Sequence, residues 1–499
     1  MHGIPGCAKI CHSFFPFFAY TARATHQTVL LAPVPSLFSI LQSSAPTSLR
    51  DRLRLVLTLS LPAVLAQLTS IAMEYIDAAM VGSLGANASA SIGLMATTIW
   101  LIYGLGGAIG SGFSVQVAQA VGARDAPRTT RLVHGGLRAV LLASLAIGLL
   151  AALVARPLPC WLRADPAIRA DASRYFLIFA CSQPIVMVTY FALGLLQSAG
   201  DIRRASVISA LMCLFDVIFN ALCIFPARIW RLGPLALPMP GLGLGVAGAA
   251  FGTLLATATG GLLALVYTLR HAPALRPVPG APRRLLPSDA RMAVRIALPI
   301  ACESAALASA SVLVTAIIAP LGPTALAAHS FAITAEALCY MSAFGFSSAA
   351  TTLVGQSIGA ERPPLARSFA WLTTGGGVLA VSSVALLLYV LAPLLFRFFT
   401  PDAAVRDLGV LILRIEMFAE PLFAASIVAN GALRGAGDTF FPALINLVSV
   451  WVVRLTLTFL LVQRYGLVGA WMAMAAELCL RGILYLLWLT RQRFRPLRA

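Results

Sequence analysis

An all-α integral membrane protein, with twelve transmembrane helices in two pseudo-symmetric six-helix lobes related as a parallel repeat, is the architecture expected of this 499-residue chain. Three observations carry that expectation: the composition, a series of long apolar segments, and an internal repeat. The chain is 59% hydrophobic and 11% charged, with a mean hydropathy of +0.88. A water-soluble globule has an apolar fraction nearer one half, so the solvent here is a lipid bilayer.

In chain order the apolar segments of the first lobe are 53–82, 87–120, 132–155, 170–197, 204–226 and 243–269. Those of the second are 292–319, 324–358, 366–396, 404–433, 440–463 and 467–490. At about 1.5 Å per helical residue, each can cross about 30 Å of hydrocarbon. Around them lie an N-terminal tail, 1–48, and the first lobe, 49–270. A Pro-rich basic linker, 271–291, joins it to the second lobe, 292–490, and a basic tail, 491–499, follows. The tail 1–48 contains a Pro-broken FFPFFAY run too short to span a membrane, and reads as disordered, mis-assigned or a signal peptide.

The net charge of +18 raises the question of nucleic acid. The arginines, however, sit between apolar segments, not in a patch interleaved with aromatics, so no nucleic-acid partner is expected. Arg50, Arg52, Arg54, Arg124, Arg128, Arg131, Arg203 and Arg204 fall on one side, with the linker and the C-terminal tail. The positive-inside rule makes that side cytoplasmic and places both termini there. Cys181, Cys213, Cys223, Cys302, Cys339 and Cys479 lie inside apolar segments without paired spacing, and read as small packing residues.

Displacing the chain by 237 residues superimposes its halves without a gap for some 140 positions. Leu61-Pro62 meets Leu298-Pro299, Leu84-Gly85 meets Leu321-Gly322, Gln119 meets Gln356, and Gly122-Ala123 meets Gly359-Ala360. Further on, Pro127 meets Pro364, Asp165 meets Asp402, Pro184 meets Pro421, and Ala199-Gly200-Asp201 meets Ala436-Gly437-Asp438. Proline and glycine are over-represented among the matches, and those residues mark backbone geometry that chance similarity of apolar segments would not select. Each copy has an even number of helices, so both enter the membrane in the same direction, related by a pseudo-two-fold axis along its normal.

A resemblance becomes specific here. YIDAAMVGSLGANASA, VQVAQAVGARD and LLQSAGD in the first half resemble the multidrug and toxic compound extrusion (MATE) family of the MOP flippase superfamily. So do LPIACES, IIAPLGPTALAAHS, TTLVGQSIGAER and LRGAGDTFFP in the second. The resemblance covers residues 50–490. It implies a twelve-helix antiporter of the bacterial inner membrane, working as a monomer without a cofactor. Such a protein expels small organic, often cationic, molecules against protons or sodium ions. It also implies that Asp77 matches the family's first-helix aspartate, whose protonation is linked to substrate release. Glu303 matches a seventh-helix glutamate associated with sodium-coupled members.

The residues themselves point the same way. A carboxylate in hydrocarbon costs about 2.5–3.5 kcal/mol even on lenient insertion scales, so each one requires a local reason. Asp77 belongs in the outer half of the membrane and Asp216 at or beyond the midplane, so the two can meet in the first lobe. Asn220 follows Asp216 by four residues and shares its helical face. Two acids beside an amide oxygen can take up a proton or ligate a small hard cation such as sodium. The family's order in that fifth-helix motif is Asn before Asp or Asn; here it is reversed.

Glu74, one turn before Asp77, is either a second ligand or an acid reaching outward to water. For Asp77 the alternative is a buried helix-to-helix hydrogen bond, or an acid near enough the outer surface to be hydrated, and for Asp216 it is likewise a structural role. In the second lobe Glu303, Glu336, Glu416 and Glu420 are further candidates. His329 suits packing better than proton shuttling. Arg454 and Arg481 suit neutralisation of Glu416, Glu420 or Glu477 better than contact with substrate. Asp201 and Asp438, in the repeated AGD turn, suit turn capping or gate geometry better than ion ligation.

GLGVAGA, 243–249, satisfies GxGxxG, but no strand is expected before it and the helix it opens belongs in lipid, so close helix packing explains it better. No Walker, HExxH or CxxC pattern occurs in the sequence. Three rivals share parts of this picture. A lipid-linked oligosaccharide flippase would call for several cleft arginines to hold a pyrophosphate. GARDAPRTTR only loosely matches the corresponding loop of a major-facilitator transporter. A membrane-embedded enzyme would need clustered His, Asp or Ser, and the chain has six His in all.

Overall fold

The structure, a computed structural model, describes residues 48–232 and 235–495. The expected tail 1–48 lies outside the described residues except for Ser48, as do the last four residues of the basic C-terminal tail. Contacts divide the chain after Leu55. In the first unit the described residues open helix α1, where Ser48 Oγ accepts from Asp51 N at 3.2 Å and donates to its carboxylate at 2.9 Å. The rest of α1 and all the other helices of both lobes lie in the second unit, from Val56 onward.

The first lobe contains α1 Leu49–Gly82, α2 Ala86–Gly122, α3 Ala126–Val154, α4 Pro166–Ser198, α5 Ile202–Ile224 and α6 Gly245–Val266, with a π-helical end, Tyr267–His271. Its core forms where α2, α3 and α4 meet, around Phe113, Leu132, Phe176, Phe191 and Leu196. Between α5 and α6 a two-stranded antiparallel hairpin pairs β1 Pro226–Leu232 with β2 Leu235–Leu242. A strand therefore does precede GLGVAGA, against expectation. It belongs to a local hairpin and not to a βαβ unit, and the glycines of α6 serve helix packing. A Cβ on Gly248 would meet the main chain of Cys223, and one on Gly260 the side chain of Met212, both in α5. Small residues let these two helices approach closely.

The second lobe contains α7 Pro287–Ile318, α8 Pro323–Gly359, α9 Pro363–Phe399, α10 Ala403–Met417, α11 Glu420–Gly435, α12 Phe440–Val448, a π-helical stretch Ser449–Arg454, and α13 Leu455–Arg491. Among the described residues ten continuous helical runs are long and apolar enough to cross a membrane. Two departures from helical regularity reconcile this with twelve crossings. The tenth expected segment is broken between Met417 and Glu420, with Pro421 in the first turn of α11. The last run, Phe440–Arg491, has 52 residues, about twice what one crossing needs. It contains a non-helical Gly466, at φ 55° and ψ −136°, beyond which Gly469 lies against the main chain of Leu461.

The repeat extends to helix ends. Asp165 caps α4, accepting from Ala167 N at 2.8 Å, and Asp402 caps α10, accepting from Ala404 N at 2.9 Å. After α2 and α8 the backbone enters the same left-handed turn, at Arg124 (φ 57°) and Glu361 (φ 56°). The lobes are not symmetric in how they meet, however. Helix α7 takes up the last five residues of the expected linker and packs along α2 of the first lobe. Gln116 Nε2 donates to Asp289 O at 3.1 Å, while Arg128 and Arg131 flank the Asp289 carboxylate at 3.6 and 3.7 Å.

Candidate functional site

Helix α1 carries Asp77 inward and α5 carries Asp216 and Asn220 on one face. Asn220 Nδ2 donates to Asp77 Oδ1 at 2.8 Å and to Asp216 Oδ2 at 2.9 Å. The two carboxyl groups are themselves neighbours, and α6 brings the Thr253 hydroxyl beside Asp216. Asp216 and Asn220 are fully buried and Asp77 is half-buried. Both donor protons of the amide are thereby directed at carboxylates, which leaves its oxygen pointing away from hydrogen-bond partners. Asn220 Oδ1 and Asp216 Oδ1 find none among the described residues. Gly252 of α6 makes the arrangement possible, since a Cβ there would collide with Asn220 Oδ1. Glu74 stays on the exposed side of α1.

Two like charges this close repel, and the uncommitted oxygens are all acceptors. A proton on either carboxyl, or a small cation among the oxygens, answers both facts. Among the described residues no group of three or more His, Cys, Asp or Glu is placed to hold a metal ion. A cation here would thus depend on amide and hydroxyl oxygens as well as the two acids.

The second-lobe candidates separate into distinct groups. Glu303 of α7 is held by Arg434 Nη2 at 3.2 Å, Asn446 Nδ2 at 2.5 Å and Asn430 Nδ2 at 3.4 Å. Asn430 and Arg434, one turn apart on α11, and Asn446 on α12 escaped the sequence reading, although ANGALRG sets the first two on one face. Arg454 and Arg481 both engage Glu477, at 3.5 and 3.0 Å, and not Glu416 or Glu420. Glu336, Glu416 and Glu420 are buried, and all four carboxylate oxygens of the latter two lack hydrogen-bond partners among the described residues. His329 Nδ1 accepts from Trp471 Nε1 at 3.1 Å, with the rings edge to face.

The Asp201 side chain does not cap its helix, whereas Asp438 is met by the Phe441 backbone amide in the first turn of α12. Asp201 instead accepts from Arg204 at 2.8 Å and from Tyr267 at 3.3 Å. Asp438 accepts from Trp488 Nε1 at 2.8 Å and Gln492 Nε2 at 3.1 Å. Each thus ties the start of one helix to the end of the lobe's last helix. Burial pushes the Asp438 carboxyl above its usual range, partly offset by these bonds.

The architecture and this placement of acids can be set beside known proteins. The MatE family model matches the chain twice, over residues 62–222 and 299–460, starting positions that differ by the same 237 residues as the internal repeat. A "Probable multidrug resistance protein NorM" from Thermotoga maritima is 26% identical, over 89% of this chain and 95% of that protein. A "Multidrug resistance protein NorM" from Burkholderia vietnamiensis is 29% identical, over 87% and 93%. In fold, the chain is similar to a MOP superfamily transporter from Pyrococcus furiosus. The TM-score is 0.81 at 17% identity, covering 93% of this chain and 98% of that one. A Vibrio cholerae MATE transporter in its bent form gives 0.77 at 18% identity, over 89% and 97%. With both halves matched by the family model, the chain belongs to the MatE family of membrane secondary transporters.

Proposed function

We propose that the protein expels small organic, often cationic, compounds across a bacterial inner membrane in exchange for inward-moving protons or sodium ions, with both termini in the cytoplasm. The observation that carries this reading is the sharing of Asn220 between Asp77 and Asp216. Charge repulsion between the acids makes the first lobe sensitive to ion occupancy, and an ion entering from outside changes the field that a cationic cargo meets. The names of the curated relatives support a drug as that cargo. In this reading the lobes rock about the cleft between them. Cargo loads from the cytoplasmic face, and proton or sodium entry from the other face favours its release.

Purified protein in liposomes tests the reading, with dye efflux driven either by an imposed pH gradient or by an imposed sodium gradient. Efflux driven by one or the other supports antiport and identifies the ion; efflux that answers to neither gradient contradicts it.

A further inference from the structure

Gln119, near the end of α2, donates from Nε2 to the carbonyl of Gly435, the last residue of α11, at 3.1 Å. Gln356, near the end of α8, donates from Nε2 to the carbonyl of Ser198, the last residue of α4, at 2.7 Å. Adding 237 to 119 gives 356, and adding 237 to 198 gives 435. One bond is therefore made twice, each glutamine reaching from its own lobe into the other. The same symmetry governs the main-chain crossing beside it. A Cβ on Gly122 would run into the main chain of Gln356, and one on Gly359 into the main chain of Gln119. Both glutamines are buried.

Helix ends explain the choice of acceptors. The last carbonyls of an α-helix lack intrahelical donors. In α4 the turn Ala199-Gly200-Asp201 satisfies the carbonyls of Leu195, Leu196 and Gln197; in α11 the turn Ala436-Gly437-Asp438 satisfies those of Ala432, Leu433 and Arg434. Left-handed glycines, Gly200 at φ 86° and Gly437 at φ 82°, make both turns possible. The carbonyls of Ser198 and Gly435 come next in line, and each is filled by the opposite lobe. Separating the lobes would strand two amides and two carbonyls at once, which is unfavourable until water or new partners reach them. Thr352 and Ser348 of α8 add bonds to Gln197 of α4, at 2.9 Å to its carbonyl and 2.8 Å to its side-chain oxygen.

We propose that Gln119 and Gln356, seated over the crossing of Gly122 with Gly359, form a pseudo-two-fold latch that closes the arginine-rich face between the lobes. The latch must open for that face to admit cargo. The two glutamines are positioning residues that set how often the lobes part there. The proposal rests on the alternating-access reading, and the test separates the two.

Spin labels at Arg203 and Glu361, exposed residues of opposite lobes at this face, report the separation by double electron–electron resonance in liposomes. The background replaces the nine native cysteines and is kept only if it still expels dye. Gln119→Ala and Gln356→Ala should each shift the distribution to longer distances, by similar amounts because the bonds are related by the repeat, and the double variant further. Gln183→Ala, which removes a buried glutamine bonded within one lobe to Phe179 O, should leave it unchanged. Should the glutamine variants fail to fold, Gly122→Ala and Gly359→Ala wedge the same crossing apart and should give the same lengthening. A wild type whose distances respond to drug or ion gradient, with variants that match it, overturns the latch alone. A wild-type distance that no drug or gradient changes overturns alternating access, and the latch with it.

Discussion

Asp77 and Asp216 share a single donor group: the Asn220 amide nitrogen lies 2.8 Å from the first carboxylate and 2.9 Å from the second. Helices α1 and α5 are thus joined by one side chain at the point where charge is hardest to accommodate. Asp77→Asn should abolish drug efflux from membrane vesicles while leaving expression intact. Near wild-type efflux would remove Asp77 from the mechanism.

Asn220→Ala should be as damaging as loss of either acid. It withdraws hydrogen bonds to two carboxylates, each worth about 1.5–3 kcal/mol when one partner is charged. Efflux should fall at least about tenfold, since about 1.4 kcal/mol corresponds to a factor of ten. Asn220→Asp, which keeps an oxygen but adds a third negative charge, should not rescue it. Dye efflux at matched protein levels distinguishes the variants.

Gly252→Ala tests the packing that seats Asn220. Its Cβ would collide with Asn220 Oδ1, whereas a Cβ on Gly107 would have nothing within 4 Å. Overpacking of this kind costs about 1–3 kcal/mol. Gly252→Ala should therefore lower both efflux and the melting temperature in detergent, and Gly107→Ala neither. Equal behaviour of the two would show that the approach of α6 to Asn220 is not critical.

Glu477 is enclosed by Arg454 and Arg481 and is fully buried. Removing its charge leaves two arginines without the carboxylate that pairs them, so Glu477→Gln should cost about 3–5 kcal/mol. Thermal unfolding followed by tryptophan fluorescence should show a large drop, partly recovered in Glu477→Gln with Arg454→Met. An unchanged melting temperature would mean the arginines are well solvated.

Much of this organisation was legible in the residues. Composition and the 237-residue displacement were enough to read the crossings and their pairing, because a bilayer imposes length and the repeat preserves Pro and Gly at turns. The four-residue spacing of Asp216 and Asn220 placed both on the face that meets Asp77. What escaped was long-range. Arg434 stands just past the apolar segment 404–433, yet its side chain runs back along α11 to Glu303, a contact between residues far apart in sequence. The partners of Arg454 and Arg481 were narrowed to three acids, and only packing selects Glu477. The break between Met417 and Glu420 carries a proline signal at Pro421, but proline inside a membrane helix is common enough that apolarity alone hid it.

The most direct measurement follows ion release when an organic cation binds to purified protein in weakly buffered solution, with a pH indicator and a sodium-sensitive electrode read in parallel. The account predicts release of protons or sodium ions as drug binds, lost in Asp77→Asn and in Asp216→Asn. Undiminished ion release in both variants, with drug still bound, would contradict it.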